Sequence, residues 1–293
     1  MSLEWTLVDT GYDAMNSVTY GYNTNGIGLF VAVGYYGQVM TSSDGITWNS
    51  QDISGDNIWT SVTYGNDLFV AVSDYGYGSG NVMTSSDGEN WTLQSSPNQY
   101  WTSVTYGNDA GLFVAVSSDG NVMTSPDGIT WTLQTSPGDN NWTSVTYGNG
   151  LFVAVASSGY NRVMTSPDGI TWTLQTSVAL ANNEWTSVTY GNDASGNGLF
   201  VAVSDFDNGD RRSVMTSSDG ETWTLQTSPS DEWTSVAYGY DARGNGLFVT
   251  VGNSTAVMIL SYSPPFPLNI TNSTDLLTFM NSSSKKIMSS FFL

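Results

Sequence analysis

Short apolar runs alternate along this chain with clusters of glycine, asparagine and aspartate, and the alternation repeats over most of its length. A complete unit contains four runs, which in the third unit read "TSVTY", "LFVAV", "VMTS" and "TWTLQ". These runs are rich in β-branched and aromatic residues, which favours strands, and no stretch has the period of an amphipathic helix. The pattern therefore predicts an all-β protein.

A single phrase marks the start of each unit. "WTSVTYG", or "WTSVAYG" in the last copy, begins at Trp59, Trp101, Trp142, Trp185 and Trp233, and residues 15–21 give a sixth copy with Met15 in the tryptophan position. Four short strands in units of roughly 40 residues are typical of propeller blades. We predict a six-bladed β-propeller of four-stranded antiparallel blades, at about residues 15–50, 59–94, 101–134, 142–175, 185–226 and 233–262.

The sixth unit is incomplete, because it ends before the turn and the second tryptophan that close the other units. Residues 4–9, "EWTLVD", have the wording of the missing fourth strand. We expect them to complete the last blade and close the ring, which removes an exposed strand edge. The propeller then spans residues 1–262. The segment 263–293 lacks the repeat phrase, and it is interpreted either as a docking or oligomerisation segment or as a disordered terminus.

An Asp-Gly turn follows the third run in five units, and a tryptophan follows the turn. The aspartate is expected to accept backbone N–H groups, and the glycine to supply a positive φ. Both sets of tryptophans are expected to pack within and between blades; stacking on sugars is the alternative. The aspartates are Asp44, Asp87, Asp127, Asp168 and Asp219, and the tryptophans after the turns are Trp48, Trp91, Trp131, Trp172 and Trp223.

The phrase "TSPDGITW" at residues 124–131 resembles the Asp-box, or BNR-type, repeat of sialidase-like propellers. It departs from that pattern by one residue, because the aspartate and glycine are adjacent. The wider wording is similar to uncharacterised propeller repeats of bacteria and phages, and more distantly to photosystem II assembly-factor propellers. This resemblance implies architecture more than chemistry.

Composition removes several classes of function. The chain has no cysteine and no histidine, so thiol chemistry, disulfides and the commonest general base and metal ligand are lacking. Six basic residues against 26 acidic ones give a net charge of −20, which disfavours nucleic acids and anionic membranes. No run is long enough to cross a membrane, and the N-terminus has no signal-peptide pattern. An extracellular or virion-associated location is favoured.

A sialidase-like hydrolase is the enzymatic alternative that the resemblance implies, with three arginines that clamp a carboxylate, a Tyr–Glu pair and an acidic residue. Arg162, Arg211 and Arg212 fall in loops of the fourth and fifth blades, and Arg243 falls on the opposite face. Such a clamp is therefore not expected, and we predict no catalytic residues, no cofactor and no metal.

The loops between second and third strands vary most between units, and they are expected to share one face with the connections from each blade to the next. Aromatic and short polar residues on such loops favour recognition, although unconstrained drift of loop sequences is the alternative. The predicted partner is a glycan or a protein surface. The first hypothesis is a module that binds a glycan, and the alternative is an assembly scaffold that binds another protein. Asp205, Asp207 and Asp210, with Asn208, are a weak calcium candidate without EF-hand spacing. The predicted binding residues are Tyr35, Tyr36, Tyr75, Tyr77, Tyr160, Arg162, Asp205, Phe206, Asp207, Asp210 and Arg211.

Overall fold

The computed structural model describes residues 15–51, 53, 56–75, 80–176, 183–193, 195–205, 213–229, 232–240, 244–253 and 257–260. These residues form six antiparallel sheets, of which five have four strands and the last has three. Each sheet follows chain order and is one blade of a six-bladed β-propeller, so the predicted architecture is confirmed. The described residues contain no helix, and hence none that is long and apolar enough to cross a membrane.

The blades are numbered in chain order. Blade 1 contains β1 (Met15–Tyr22), β2 (Gly28–Gly34), β3 (Val39–Ser42) and β4 (Asn49–Gln51). Blade 2 contains β5 (Ile58–Gly65), β6 (Leu68–Tyr75), β7 (Val82–Ser85) and β8 (Thr92–Gln94), and blade 3 contains β9 (Trp101–Gly107), β10 (Leu112–Ser117), β11 (Val122–Ser125) and β12 (Thr132–Gln134). Blade 4 contains β13 (Asn141–Gly148), β14 (Leu151–Ser158), β15 (Val163–Ser166) and β16 (Thr173–Leu174). Blade 5 contains β17 (Trp185–Asn192), β18 (Gly198–Ser204), β19 (Val214–Ser217) and β20 (Thr224–Gln226), and blade 6 contains β21 (Trp233–Tyr240), β22 (Gly246–Gly252) and β23 (Val257–Leu260).

A bulge near the start of the inner strand links one blade to the next at the first five junctions of the described residues. In blade 3 the register shifts between Trp101, which pairs with Ser117, and Ser103, which pairs with Val116. Thr102 is the extra residue, and its hydroxyl donates to the carbonyl oxygen of Val116 at 3.1 Å and to that of Trp142 in blade 4 at 2.7 Å. The bulge thus turns a strand irregularity into a bond between blades.

The apolar core lies between consecutive blades. Between blades 2 and 3, Val70, Val72 and Val82 of the earlier blade pack on Trp101, Val104, Phe113, Ala115, Met123 and Trp131 of the later one. The tryptophans that start the inner strands are at most 1% exposed, so they are structural, as expected. The "YG" of the repeat has a packing reason, because a Cβ atom on Gly148 would collide with the ring of Tyr190 in the next blade.

The Asp-Gly turns join the third and fourth strands. The Oδ1 atom of Asp127 accepts the backbone N–H groups of Ile129 and Thr130, both at 2.8 Å, and Gly128 has a φ of 75°. The indole N–H of Trp131 donates to the carbonyl oxygen of Gly128 at 2.8 Å. The turn aspartates therefore hold backbone, as the sequence predicts.

Blade 6 has three strands, in agreement with the missing fourth run. Residues 4–9 and the segment 263–293 lie outside the described residues, so the closing strand and the role of the tail stay predictions.

Candidate binding face and central channel

The loops between second and third strands lie beside the connections that lead into the inner strands, as predicted. The backbone N–H of Ser118 donates to the carbonyl oxygen of Tyr100 at 3.0 Å, and that of Asp205 donates to Glu184 at 3.3 Å. Asn253 makes the same bond to Glu232 at 3.0 Å. We call the face formed by these loops and connections the loop face.

Buried asparagines hold the loop face from beneath. Asn57, Asn140 and Asn183 each stand two residues before an inner-strand tryptophan, and each is at most 6% exposed. The side-chain amide of Asn140 donates to the carbonyl oxygens of Tyr160 at 2.8 Å and Asn161 at 3.3 Å. Sequence reasoning missed this role, although the spacing Asn-x-Trp in three units was a usable signal.

Several aromatic side chains project from the loop face. Tyr160 is 90% exposed and Tyr36 is 75% exposed, and both were predicted site residues. Tyr35 is partly exposed and its ring centroid lies 6.3 Å from that of Tyr36. Tyr100 is an exposed aromatic on the same face that sequence reasoning did not select.

Tyr36 also has an unusual backbone conformation. Its φ is 55°, a region that costs a bulky side chain free energy, and Asn161, next to Tyr160, has a φ of 53°. The loops thus hold two exposed tyrosines at or beside left-handed positions. Such conformations persist where surrounding contacts enforce them, here the asparagine below Tyr160 and the bond from Gly37 N to Asn57 O at 2.8 Å.

Arg162 has a structural task on this face. Its Nη1 atom donates to the carbonyl oxygen of Asn183 at 2.7 Å and its Nε atom donates to that of Gly159 at 3.3 Å. Burial lowers the pKa of this guanidinium, and Glu184 acts in the opposite direction. The side chain ties the blade 4 loop to the connection that enters blade 5.

Asp205 stands beside other acidic groups at the end of β18. Its pKa is raised by burial first, and then by the charges of Glu184 and Glu232. Within the described residues its Oδ1 atom is buried without a hydrogen-bond partner, and no group of three or more acidic side chains is arranged to hold a metal ion.

The structure does not describe the side chains of the remaining predicted site residues. Tyr75 ends β6, and its side chain is not described. Tyr77, Phe206, Asp207, Asp210 and Arg211 lie outside the described residues, as do Asn208 and the calcium hypothesis that depends on it.

The inner strands of all six blades surround a central cavity of about 310 Å³. Its lining includes the half-buried threonines Thr19, Thr63, Thr105, Thr146 and Thr189, and blade 6 contributes Ala237 at the equivalent place. The described lining residues are all uncharged. A channel of this chemistry is polar but offers neither an acid nor a base.

Comparisons with known proteins support the fold alone. The chain matches no family model, and no curated protein is similar to it in sequence. Solved β-propellers are similar in structure at low identity. A virginiamycin B lyase from Staphylococcus aureus with quinupristin superimposes with a TM-score of 0.63 at 9% identity, covering 90% of this chain and 89% of the lyase chain.

Two further structures of binding proteins are similar. YCF48 bound to D1 peptide gives a TM-score of 0.58 at 15% identity, covering 84% of this chain and 78% of YCF48. BBS1N in complex with ARL6DN gives 0.62 at 9% identity, covering 88% of this chain and 81% of BBS1N. The neighbours therefore include an enzyme and propellers that hold protein partners.

Proposed function

We propose that this protein is a non-catalytic binding module whose loop face holds a glycan or another surface partner. The observation that carries the proposal is the pair of strongly exposed tyrosines, Tyr36 and Tyr160, on loops held in place by buried hydrogen bonds. Tyrosine gives a large contact area at a low cost in conformational entropy, and its ring stacks on apolar sugar faces.

The chemistry of the chain supports a non-catalytic role. The lyase neighbour is catalytically inactive when one histidine is replaced by alanine, and this chain has no histidine. The channel lining described above is uncharged. On the loop face, the guanidinium of Arg162 already bonds two carbonyl oxygens.

The positions of the tyrosines favour an extended ligand. Tyr36 belongs to blade 1 and Tyr160 to blade 4, and blades 2 and 3 lie between these two blades. One monosaccharide therefore cannot contact both side chains, whereas an oligosaccharide chain or a protein surface laid across the face can. We propose a glycan chain as the first candidate, displayed on a cell or virion surface.

A protein partner is the second candidate, favoured by the neighbours whose structures contain a peptide or a protein partner. We also propose that the Asp-Gly turns between the third and fourth strands are of the Asp-box type. The bonds from two backbone N–H groups to each turn aspartate and from the indole to the glycine carbonyl support this assignment.

A glycan array probed with the labelled full chain tests the proposal. We expect binding to related oligosaccharides, weakened about tenfold, or about 1.4 kcal/mol, by Tyr36→Ala or Tyr160→Ala. The control is Ile129→Ala, which removes an exposed apolar side chain from a turn on the opposite face. Equal losses in all three variants would contradict a site on the loop face, and no glycan binding at any concentration would refute the glycan and leave the protein partner.

A further inference from the structure

The blade junctions share one design. The forward face of a blade presents a leucine and two valines from the second strand and a valine from the third. The backward face of the next blade presents its tryptophan, phenylalanine and methionine. Such mixed clusters join blades 1 to 2, 2 to 3, 3 to 4, 4 to 5 and 5 to 6.

Blade 6 has the same forward face and blade 1 the same backward face, but no mixed cluster of described residues joins them. The backward face of blade 1 forms a cluster of Met15, Val18, Ala32 and Met40, with Phe30 and Trp48 at its edge. This cluster contains no described residue of blade 6. The forward face of blade 6 is built from Leu247, Val249, Val251 and Val257.

Hydrogen bonds show the same difference. At the other junctions a serine hydroxyl accepts the N–H of a valine in the next blade, as Ser187 does from Val236 at 3.2 Å. Thr102 donates both to Val116 in its own blade and to Trp142 in the next, whereas Thr234 keeps the bond in its own blade, to Val251 at 3.2 Å, without the equivalent bond to the carbonyl oxygen of Met15. Among the described residues neither type of bond joins blade 6 to blade 1.

Burial indicates that the two faces are separated and covered. Val18 is 0% exposed, Met40 is 2% exposed and Val249 is 1% exposed, so each has a cover that the facing blade does not provide. The outer edge of the gap is more open, because Val257 is 47% exposed while the equivalent valines of the other blades are at most 4% exposed.

We propose that the C-terminal segment, residues 263–293, docks in the gap between blades 6 and 1 and joins them. It follows the last described strand, β23, which carries Val257 at the edge of that gap. It contains the apolar stretches "DLLTFM" and "IMSSFFL". Residues 4–9 are predicted to supply the closing strand at the edge of β23, which leaves the C-terminal segment as the occupant that we propose for the gap.

Charge favours this occupant over a second copy of the chain. The segment contains Asp275, Lys285 and Lys286, so it carries a net charge of +1, while the whole chain carries −20. Two copies repel each other, and the segment is attracted to the ring. Its attachment to β23 also makes docking intramolecular, at an effective concentration of order millimolar.

Cysteine labelling tests the proposal, because the chain has no cysteine of its own. Met40→Cys and Val249→Cys report on the gap, and Met123→Cys and Val114→Cys are their matched controls at the junctions of blade 3. Alkylation rates are compared between the full chain and a chain that ends at Tyr262. We expect both gap cysteines to react at least about tenfold faster in the shortened chain, with both controls unchanged, since labelling of buried thiols follows local opening. If the gap cysteines of the shortened chain react no faster relative to the controls than those of the full chain, the proposal is overturned.

A second variant covers the case in which the shortened chain does not fold and all four cysteines react. In the full chain, Leu276, Leu277 and Phe279 are replaced together by serine, with Thr278→Ser as the control. Selective exposure of the gap cysteines in a folded triple variant supports docking, and continued protection contradicts it. Two further results would also contradict it: exposure only on deletion of residues 1–14, or protection that is lost on dilution together with a dimer in light scattering.

Discussion

The hydroxyl of Thr60 donates a hydrogen bond to the carbonyl oxygen of Trp101 at 2.7 Å, which joins blade 2 to blade 3. Thr102, Thr143 and Thr186 repeat the bond to Trp142, Trp185 and Trp233. The first junction uses Asn16, whose amide donates to Trp59 at 2.8 Å. In blades 1 to 5 the bulged position of the inner strand therefore bonds the blade to the next one.

Replacing Thr102 by valine should destabilise the propeller by about 1–3 kcal/mol, because the carbonyl oxygen of Trp142 loses its donor in a partly buried place. The free energy of unfolding is measured by equilibrium urea denaturation. Thr105→Val is the matched control: this threonine lies on the same strand and faces the channel, and its hydroxyl bonds no other described residue. Equal losses of unfolding free energy in the two variants would contradict a stabilising hydrogen bond between the blades.

The inner-strand tryptophans differ in how their indole N–H groups are satisfied. Trp101 donates to the carbonyl oxygen of Pro97 at 3.0 Å. The Nε1 atom of Trp142 is buried without a partner among the described residues. The connection before Trp101 places a proline carbonyl four residues upstream, and the connection before Trp142 has Gly138 there.

Trp101→Phe should therefore cost more than Trp142→Phe, by about 1–3 kcal/mol in the free energy of unfolding. Both variants lose the same side-chain volume, but only the first breaks a hydrogen bond, and the second removes a buried donor that lacks one. Urea denaturation of the two variants, monitored by far-UV circular dichroism, gives the difference directly. A larger loss at Trp142 would contradict the assignment of these bonds.

The turn aspartates make stability depend on pH in the acid range. The backbone N–H of Thr47, and then that of Ile46, lowers the pKa of Asp44 to about 2 from an ordinary 3.8. Since the folded-state pKa is depressed, the stabilisation is fully present above pH 3.8 and is lost as the pH falls toward 2.

Asp44→Asn should accordingly lower the Tm at pH 7, and the difference from the parent protein should vanish by about pH 2. Thermal melts between these pH values check it. Asp119→Asn is the control, because this exposed aspartate also precedes a glycine with positive φ but its carboxylate accepts no bond from the other described residues. A constant Tm difference for Asp44→Asn at all pH values would be inconsistent with the bonded carboxylate.

The repeat phrase predicted the blades because one sequence pattern encodes one set of contacts. Strand order, the buried tryptophans and the Asp-Gly turns all follow from local residue patterns that recur in each unit. The shared face of the variable loops was also predictable, since strand direction alone places them together.

The properties of individual loops were less accessible. Arg162 was a predicted ligand residue, yet its donors reach two backbone carbonyls whose positions depend on the fold of neighbouring blades. Asn140 was overlooked because a buried asparagine is recognised by the carbonyls that it meets, not by its place in a polar connection. The separation of blades 6 and 1 likewise depends on ring geometry, which a repeat pattern does not encode.

Asn140 offers a test of how the loop face is held. The Asn140 amide donates to the carbonyl oxygens of Tyr160 and Asn161, and the residue is only 4% exposed. Asn140→Asp puts a carboxylate, which cannot donate when ionised, against these two oxygens. The loop should loosen, with a loss of about 1–3 kcal/mol in the free energy of unfolding and faster hydrogen exchange around residue 160. Tyr160→Ala should change stability by less than about 0.5 kcal/mol, because its side chain is almost fully exposed. If both variants were equally stable, the buried amide would not be the support of this loop.

Deleting residues 1–9 addresses the predicted closing strand. β23 is the outermost described strand of a three-stranded blade, and its outer edge is the place where residues 4–9 would add a fourth strand. Their loss leaves unpaired backbone groups along that edge, so we expect a clearly lower Tm and a tendency to self-associate. Circular dichroism melts and light scattering measure the two effects. A matched variant of the full chain replaces Thr6 by proline, which removes one ladder N–H without shortening the chain. A melting curve unchanged by both the deletion and the proline would mean that residues 4–9 do not pair with blade 6.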